Sequence, residues 1–432
     1  MASQRKAIKG KASPGDRVVV TKNGRTYEGF LMPSSSGSTV VKLDSGYNAG
    51  ITGKAMVKLV EKRKALPAAE GEVRVDPSKP TIAIIHTGGT IASKVDYRTG
   101  AAYPAFLPGE LTTAVPEIKG LANYRSSLVF QMYSEDMEPE HWAILAEKVY
   151  GEIKKGADGV IVFHGTDTMA YSAAAISFMV QNLPVPVLFV GSQRSTDRGS
   201  ADAAMNIICA VNFILKGNFA GVGLCMHGTT NDDYCLIIPG VNVKKMHSSR
   251  RDAFRAVDVK PYAKVFPSGA VEFLREHEKK DKSRMPVLKN AIEKKVAIVK
   301  MRPGITPQEI GFYKNYKGVV IEGTGLGNAP VTVLDKYTAH HAGLLQAMAT
   351  LSKETKLFMV TQCPYGRVNM NVYSTGRALQ KAGVTPLRMT SEAAYAKLIW
   401  ALGNFPKEAE KIMLQNICGE IVEKIEPECF LL

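Results

Sequence analysis

An apolar run, Thr81-Ile82-Ala83-Ile84-Ile85-His86, leads straight into Thr87-Gly88-Gly89-Thr90-Ile91-Ala92-Ser93. Two consecutive glycines let a backbone approach a bound group and turn its N–H groups toward it. A threonine hydroxyl beside such donors, Thr90, suits a nucleophile whose developing oxyanion the amides stabilise. The same pattern suits a phosphate-cradling or purely structural turn. A second apolar run, Gly159–Phe163, leads into His164-Gly165-Thr166-Asp167-Thr168-Met169, which sets a hydroxyl beside a carboxylate. A third cluster is Gly240-Val241-Asn242-Val243-Lys244-Lys245-Met246. A lysine shielded from water gives up its proton more readily and can then deprotonate a threonine. Surface charge is the plainer reading of Lys244 and Lys245.

These clusters need rigid elements to hold them. Near-continuous apolar strands are expected at Thr81–His86, Gly159–Phe163, Pro186–Val190, Gly221–Met226, Val296–Lys300, Gly318–Ile321 and Leu357–Val360. Helical apolar spacing falls between them, at Glu138–Lys155, Ala201–Leu215, Asp335–Ser352 and Ser391–Leu402. Such alternation predicts parallel α/β structure. Ligands of open α/β sheets bind beyond the carboxyl ends of the strands, where the first two clusters stand. The first 65 residues differ. Short β-like runs, Arg17–Thr21, Thr26–Met32 and Thr39–Leu43, are separated by turn signals, among them Asn23-Gly24. That spacing predicts a small SH3-like or Sm-like β-barrel. Tyr27, Phe30 and Tyr47 would form its core, or stack on bases.

The expected organisation is a barrel over 1–65, a Pro- and Ala-rich linker over 66–80, a larger α/β domain over 81–292 and a smaller one over 293–432. The composition, 45% hydrophobic and 22% charged, excludes a disordered or collagen-like chain. No apolar run approaches the roughly 18–20 residues of a membrane span. The N-terminus MASQRKAIKGKA is basic without a signal-peptide apolar core, so the expectation is a cytoplasmic chain. The net charge is +15, and residues 1–79, with 15 Lys/Arg and 7 Asp/Glu, carry +8 of it. A basic excess favours a polyanionic partner, or reflects a generally solvated surface in a basic proteome. Cys209, Cys225, Cys235, Cys363, Cys418 and Cys429 form no Cys-x-x-Cys pair and have no zinc spacing, so they read as reduced core thiols and no metal site is expected.

Thr-Gly-Gly-Thr-Ile-Ala followed by His-Gly-Thr-Asp-Thr-Met resembles the two signatures of the bacterial-type L-asparaginase/glutaminase family, over about residues 80–432. The resemblance implies a two-domain α/β body with the site at the larger domain's strand ends. It implies Thr90 as nucleophile, Tyr103 on a lid loop, and a relay of Thr166, Asp167 and Lys245. It implies substrate held by Ser134, Glu135 and Asp167, with the backbone of Gly89 and of Ser192 facing the reacting amide. Asn328, in Gly325-Leu326-Gly327-Asn328, would reach a neighbouring copy's site, or act only as a turn residue.

About 80 residues precede that body. This basic extension, with His86 and Ser93 around the first signature, resembles the D subunits of archaeal glutamyl-tRNA(Gln) amidotransferases. That resemblance implies release of ammonia from glutamine for a partner, the amidotransferase's E subunit. This partner would bind Glu-tRNA(Gln), use ATP and Mg²⁺, and form Gln-tRNA(Gln), so this chain needs no cofactor of its own. A homodimeric core within a heterotetramer is implied. The competing readings are a stand-alone cytosolic L-asparaginase and an inert RNA-binding protein.

Overall fold

The structure is a computed structural model. It describes residues 11–32, 38–43, 48–62, 75–88, 93–95, 102–104, 111–112, 115–194 and 201–430. Thr90, Gly89 and Tyr47 lie outside them.

The N-terminal unit is a five-stranded antiparallel sheet: β1 (Arg17–Lys22), β2 (Arg25–Met32), β3 (Thr39–Leu43), β4 (Asn48–Ile51) and β5 (Met56–Glu61). The strand order is β4-β3-β2-β1-β5. Asn23 and Gly24 both have positive φ, 49° and 72°, as a two-residue hairpin turn of matching twist requires. Val18, Val20, Val41 and Ile51 fill its core. Tyr27 packs only at the edge of that core, and Phe30 lies 5.5 Å beneath the Arg17 guanidinium. Strand alternation puts Tyr27, opposite Val20, on the core face and Phe30, opposite Arg17, on the other. The end of the expected linker is pinned to the body. Asn123 donates to the carbonyls of Asp76 and Lys79 at 2.8 and 3.0 Å, and accepts from Asp76 N–H at 2.9 Å.

The larger sheet contains β6 (Thr81–Gly88), β9 (Asn123–Met132), β10 (Gly159–Phe163), β11 (Pro186–Val190), β12 (Gly221–His227), β13 (Cys235–Pro239), β16 (Ala263–Val265) and β17 (Val271–Phe273). Two short hairpins stand apart from it: β7 (Ser93–Val95) with β8 (Ala102–Pro104), and β14 (Val243–Lys245) with β15 (Phe254–Ala256). The order is β17-β16-β13-β12-β11-β10-β6-β9. From β9 to β12 the neighbours are parallel, and beyond β12 they are antiparallel. The chain leaves β6 for β9 on one side and then returns to β10 on the other. The strand order therefore reverses at β6/β10, the crevice where open α/β sheets bind ligands.

Among the described residues the longer helices are α1 (Pro139–Lys154), α2 (Met169–Met179), α3 (Ala203–Lys216), α4 (His341–Leu351), α5 (Ser374–Lys381) and α6 (Ser391–Asn404). The smaller sheet is parallel, β18 (Val296–Lys300), β19 (Gly318–Gly323), β20 (Lys356–Thr361) and β21 (Val384–Pro386), in that order. α2 carries MAYSAAAISFM, and ten of its eleven residues are buried. It belongs to one hydrophobic core that also includes Val320 and Phe358 of the smaller sheet and Trp400 of α6. Phe178 stacks on Trp400 at 5.7 Å. Truncating either ring in such a core typically costs about 3–5 kcal/mol, and the two α/β units share it.

Two expectations change. The helix expected from Asp335 begins at His341. Asp335 instead closes a turn, its carboxylate accepting from Tyr337 N–H at 2.9 Å and Thr338 N–H at 3.0 Å, the usual competition of Asp with helix hydrogen bonding. Of the six cysteines, Cys363 is exposed rather than in the core.

Candidate active site

Three strand ends meet at the crevice. Phe163 pairs with His86 on one side and Val190 on the other. Gly88, His164-Gly165 and Gly191 therefore arrive side by side. Thr87 Oγ1 donates to Phe163 O at 2.9 Å and fixes the first turn to the second. Gly88 has φ +109°, and a Cβ there would fall 2.1 Å from Met132 O. A Cβ on Gly165 would fall 2.8 Å from Ser134 Cβ. Only glycine allows the backbones to converge this closely.

Lys245 reaches this place from β14. Its Nζ donates to Thr166 Oγ1 at 2.8 Å and to Asp167 Oδ1 at 2.7 Å. The lysine side chain is 15% exposed and the aspartate 65%, so the ammonium is enclosed while the carboxylate opens to solvent. Ser134, buried in a short 3₁₀ turn after β9, receives the Asp167 N–H on its Oγ at 3.2 Å. The Thr168 hydroxyl donates to Ser134 O at 2.6 Å. Ser134, Thr166, Asp167 and Lys245, drawn from three separate stretches of sequence, form one cluster. Glu135 stands exposed beside it in the same 3₁₀ turn.

Ser192 is buried, and its hydroxyl donates inward to Asp202 Oδ1 at 2.8 Å and to Arg194 O. Asp202 also accepts the backbone N–H groups of Gln193 and Arg194, at 3.0 and 2.9 Å. The sequence did not mark Asp202, although an Asp just before a helix is a capping signal. Here the carboxylate organises a loop instead, and it makes no cap bond to α3. The backbone of Tyr103 pairs with Lys94 in the β7–β8 hairpin. Asn328 lies past β19, where its Oδ1 accepts from the Thr375 hydroxyl at 2.9 Å within the smaller domain. It does not join the Lys245 cluster in this chain.

Two buried histidines wall the crevice. Burial pushes both His86 and His164 down to about 4, so both rings are neutral near pH 7. His164 Nδ1 lies 2.6 Å from Gly165 O and donates to it, which fixes the tautomer. Among the described residues no group of three or more His, Cys, Asp or Glu is placed to hold a metal.

The structure thus sets an ammonium shared by a hydroxyl and a carboxylate at the ends of β6, β10 and β11. The Asparaginase, N-terminal family profile matches residues 81–279, and the Glutaminase/Asparaginase C-terminal domain profile matches 295–413. The thermostable L-asparaginase of Thermococcus kodakarensis superposes with a TM-score of 0.71 at 30% identity, covering 80% of this chain and 100% of its own. L-asparaginase I of Vibrio cholerae gives 0.68 at 28% identity, covering 80% and 99%. The chain is thus an asparaginase-type amidohydrolase in fold.

The N-terminal unit narrows this further. The GatD N-terminal domain profile matches residues 12–60. The D subunit of the Pyrococcus furiosus glutamyl-tRNA(Gln) amidotransferase is 46% identical over 431 residues, 96% of both chains. That of Methanothermobacter thermautotrophicus is 46% identical over 95% of this chain and 94% of its own. The chain belongs to the family of glutamyl-tRNA(Gln) amidotransferase D subunits.

Proposed function

We propose that this chain hydrolyses glutamine to glutamate and ammonia, and that a partner chain uses the ammonia to convert Glu-tRNA(Gln) to Gln-tRNA(Gln). The observation that carries the reading is the Lys245 ammonium on both Thr166 and Asp167, at the strand ends where Gly88 stands two residues before Thr90 in the sequence. Thr90 Oγ attacks the side-chain amide carbon. Its proton passes into the Thr166–Lys245–Asp167 relay. Backbone N–H groups near Gly89 and Ser192 hold the oxyanion. The C–N bond breaks, the leaving nitrogen takes a proton and departs as ammonia, and water hydrolyses the acyl-threonine to glutamate. Ser134 and Asp167 hold the substrate's α-carboxylate and ammonium, with Glu135 adding charge to the latter. Tyr103 closes over the site, and Asn328 serves a neighbouring copy.

ATP and Mg²⁺ belong to the partner, the amidotransferase's E subunit, and the working assembly is a homodimer of this chain flanked by two such partners in the cytoplasm. The basic N-terminal sheet supports a place beside tRNA.

The test is ammonia release by the full-length chain co-purified with a candidate E subunit, from glutamine and from asparagine, with and without Glu-tRNA(Gln). Glutamine turnover that rises with Glu-tRNA(Gln) and disappears in Thr90→Ala is the expected result. Asparagine-preferring, tRNA-indifferent turnover would establish the competing asparaginase reading, which the likeness to solved L-asparaginases supports. A fully active Thr90→Ala enzyme would overturn the nucleophile.

A further inference from the structure

Behind the Gly191–Arg194 loop, a chain of polar side chains runs from the floor of the crevice to the surface. It begins at Asp202, which is wholly buried and holds Ser192, Gln193 and Arg194 as described. Asn206, buried on α3, donates through Nδ2 to Gly191 O at 3.0 Å and to Asp202 Oδ2 at 3.3 Å. Those two acceptors fix the amide's orientation, so Asn206 Oδ1 must face the other way. There it meets His227 Nδ1 at 2.6 Å and the Cys235 thiol at 3.3 Å. An amide oxygen only accepts, so Nδ1 carries a proton.

The opposite ring nitrogen, Nε2, lies 3.0 Å from Asp232 Oδ1, which Arg251 Nη1 also holds at 2.7 Å. The hydrogen bond from His227 keeps the Asp232 carboxyl below its ordinary range, and Arg251 adds to that. The His227 ring is fully buried with acceptors at both ends. A ring without a proton on Nδ1 would turn a lone pair on the Asn206 oxygen.

The loop at the other end of this chain touches the relay. A Cβ on Gly191 would lie 2.9 Å from Thr166 Cγ2 and 3.1 Å from His164 O, so the loop backbone is packed directly against the threonine. We propose that His227, anchored at its outer nitrogen by Asp232, is a positioning residue for amide hydrolysis, fixing Gly191–Arg194 against Thr166 through Asn206 and Asp202. The inference rests on the amide-hydrolysing reading of the site. Misplacing a group that faces the reacting amide by about 1 Å costs on the order of 10²-fold in rate.

Two amide substitutions separate the ring's two ends. Asn at position 227 sets its nitrogen where Nδ1 stands, and Gln sets its nitrogen where Nε2 stands. In the full-length chain, under conditions where the wild type releases ammonia from glutamine, His227→Gln should lower kcat about tenfold or more with KM within about twofold. His227→Asn should recover most of that loss. Wild-type kcat in His227→Gln, or equal losses in both variants, would overturn the proposal. Should His227→Gln fail to fold, Asp232→Ala carries the test, because the Asp232 side chain is 68% exposed. It should lower kcat about threefold or more with KM within about twofold, and unchanged kcat there overturns the proposal too. A wild-type chain that releases no ammonia removes the underlying reading instead.

Discussion

At the scale of single residues, the deciding contact is that of Lys245. Lys244 and Lys245 are adjacent on β14, and strand alternation sends them to opposite faces. Lys245 turns to Thr166 and Asp167, while Lys244 turns to Glu392 of the smaller domain. Composition alone treats both as surface charge. Lys245→Met keeps the length of the stem and removes the ammonium, leaving the Thr166 hydroxyl without its charged partner. The expected result is a fall in kcat/KM for glutamine of about 10²–10⁴-fold, typical for loss of a proton-transferring group, with the far-UV spectrum unchanged. Ammonia-release kinetics check it, and wild-type turnover would return Lys245 to the surface-charge reading. Glu392→Ala, by contrast, leaves these contacts in place, so the two lysines are separable by experiment.

At the scale of elements, the second lysine joins the domains. Glu392 sits in the first turn of α6, where a carboxylate also suits the helix dipole, and Thr390 caps that helix by accepting from Ala393 N–H at 3.2 Å. The Lys244 Nζ donates to both Glu392 oxygens, at 2.7 and 2.9 Å, with both side chains largely shielded. Glu392→Ala leaves a half-buried ammonium unpaired, and about 2 kcal/mol of stability should be lost. Urea unfolding measures this, and an unchanged midpoint would show the bridge to be idle. The elements also show what was legible in advance. β6, β10 and β11 were legible because parallel strands buried on both faces read as unbroken apolar runs. α2 was not, because a helix buried all round carries no 3.6-residue stripe. β9, half-buried at the sheet edge, mixes polar and apolar residues without clean alternation. The Ser134–Asp167 and Asn206–His227 contacts join residues 33 and 21 apart, and only the packed sheet brings them together. The sequence held Thr166 and Asp167 in its second signature and Lys245 in a separate cluster, but nothing in it paired Asp202 with the loop it organises.

At the scale of the whole molecule, the crevice and the stability of the fold share the same buried groups. His86 and His164 flank the converging strand ends, and burial lowers both from about 6.5 to about 4. Above about pH 6.5 both rings are neutral whether the chain is folded or not, and their contribution is constant. Below that, the unfolded chain takes up two protons that the fold refuses. Stability therefore falls by about 1.4 kcal/mol per pH unit for each histidine until the folded rings protonate near pH 4. Depressed carboxylates such as Asp252, held at about 2 chiefly by Arg250, weaken the fold only at still lower pH. The two windows are therefore separable. Urea midpoints should hold from pH 7 to about pH 6.5 and then decline to pH 4.5, and His86→Gln should remove about half of that slope. A general excess of positive charge would depress wild type and variant alike, so the difference between them isolates the buried ring. Identical slopes would mean that water reaches the His86 ring before the chain unfolds.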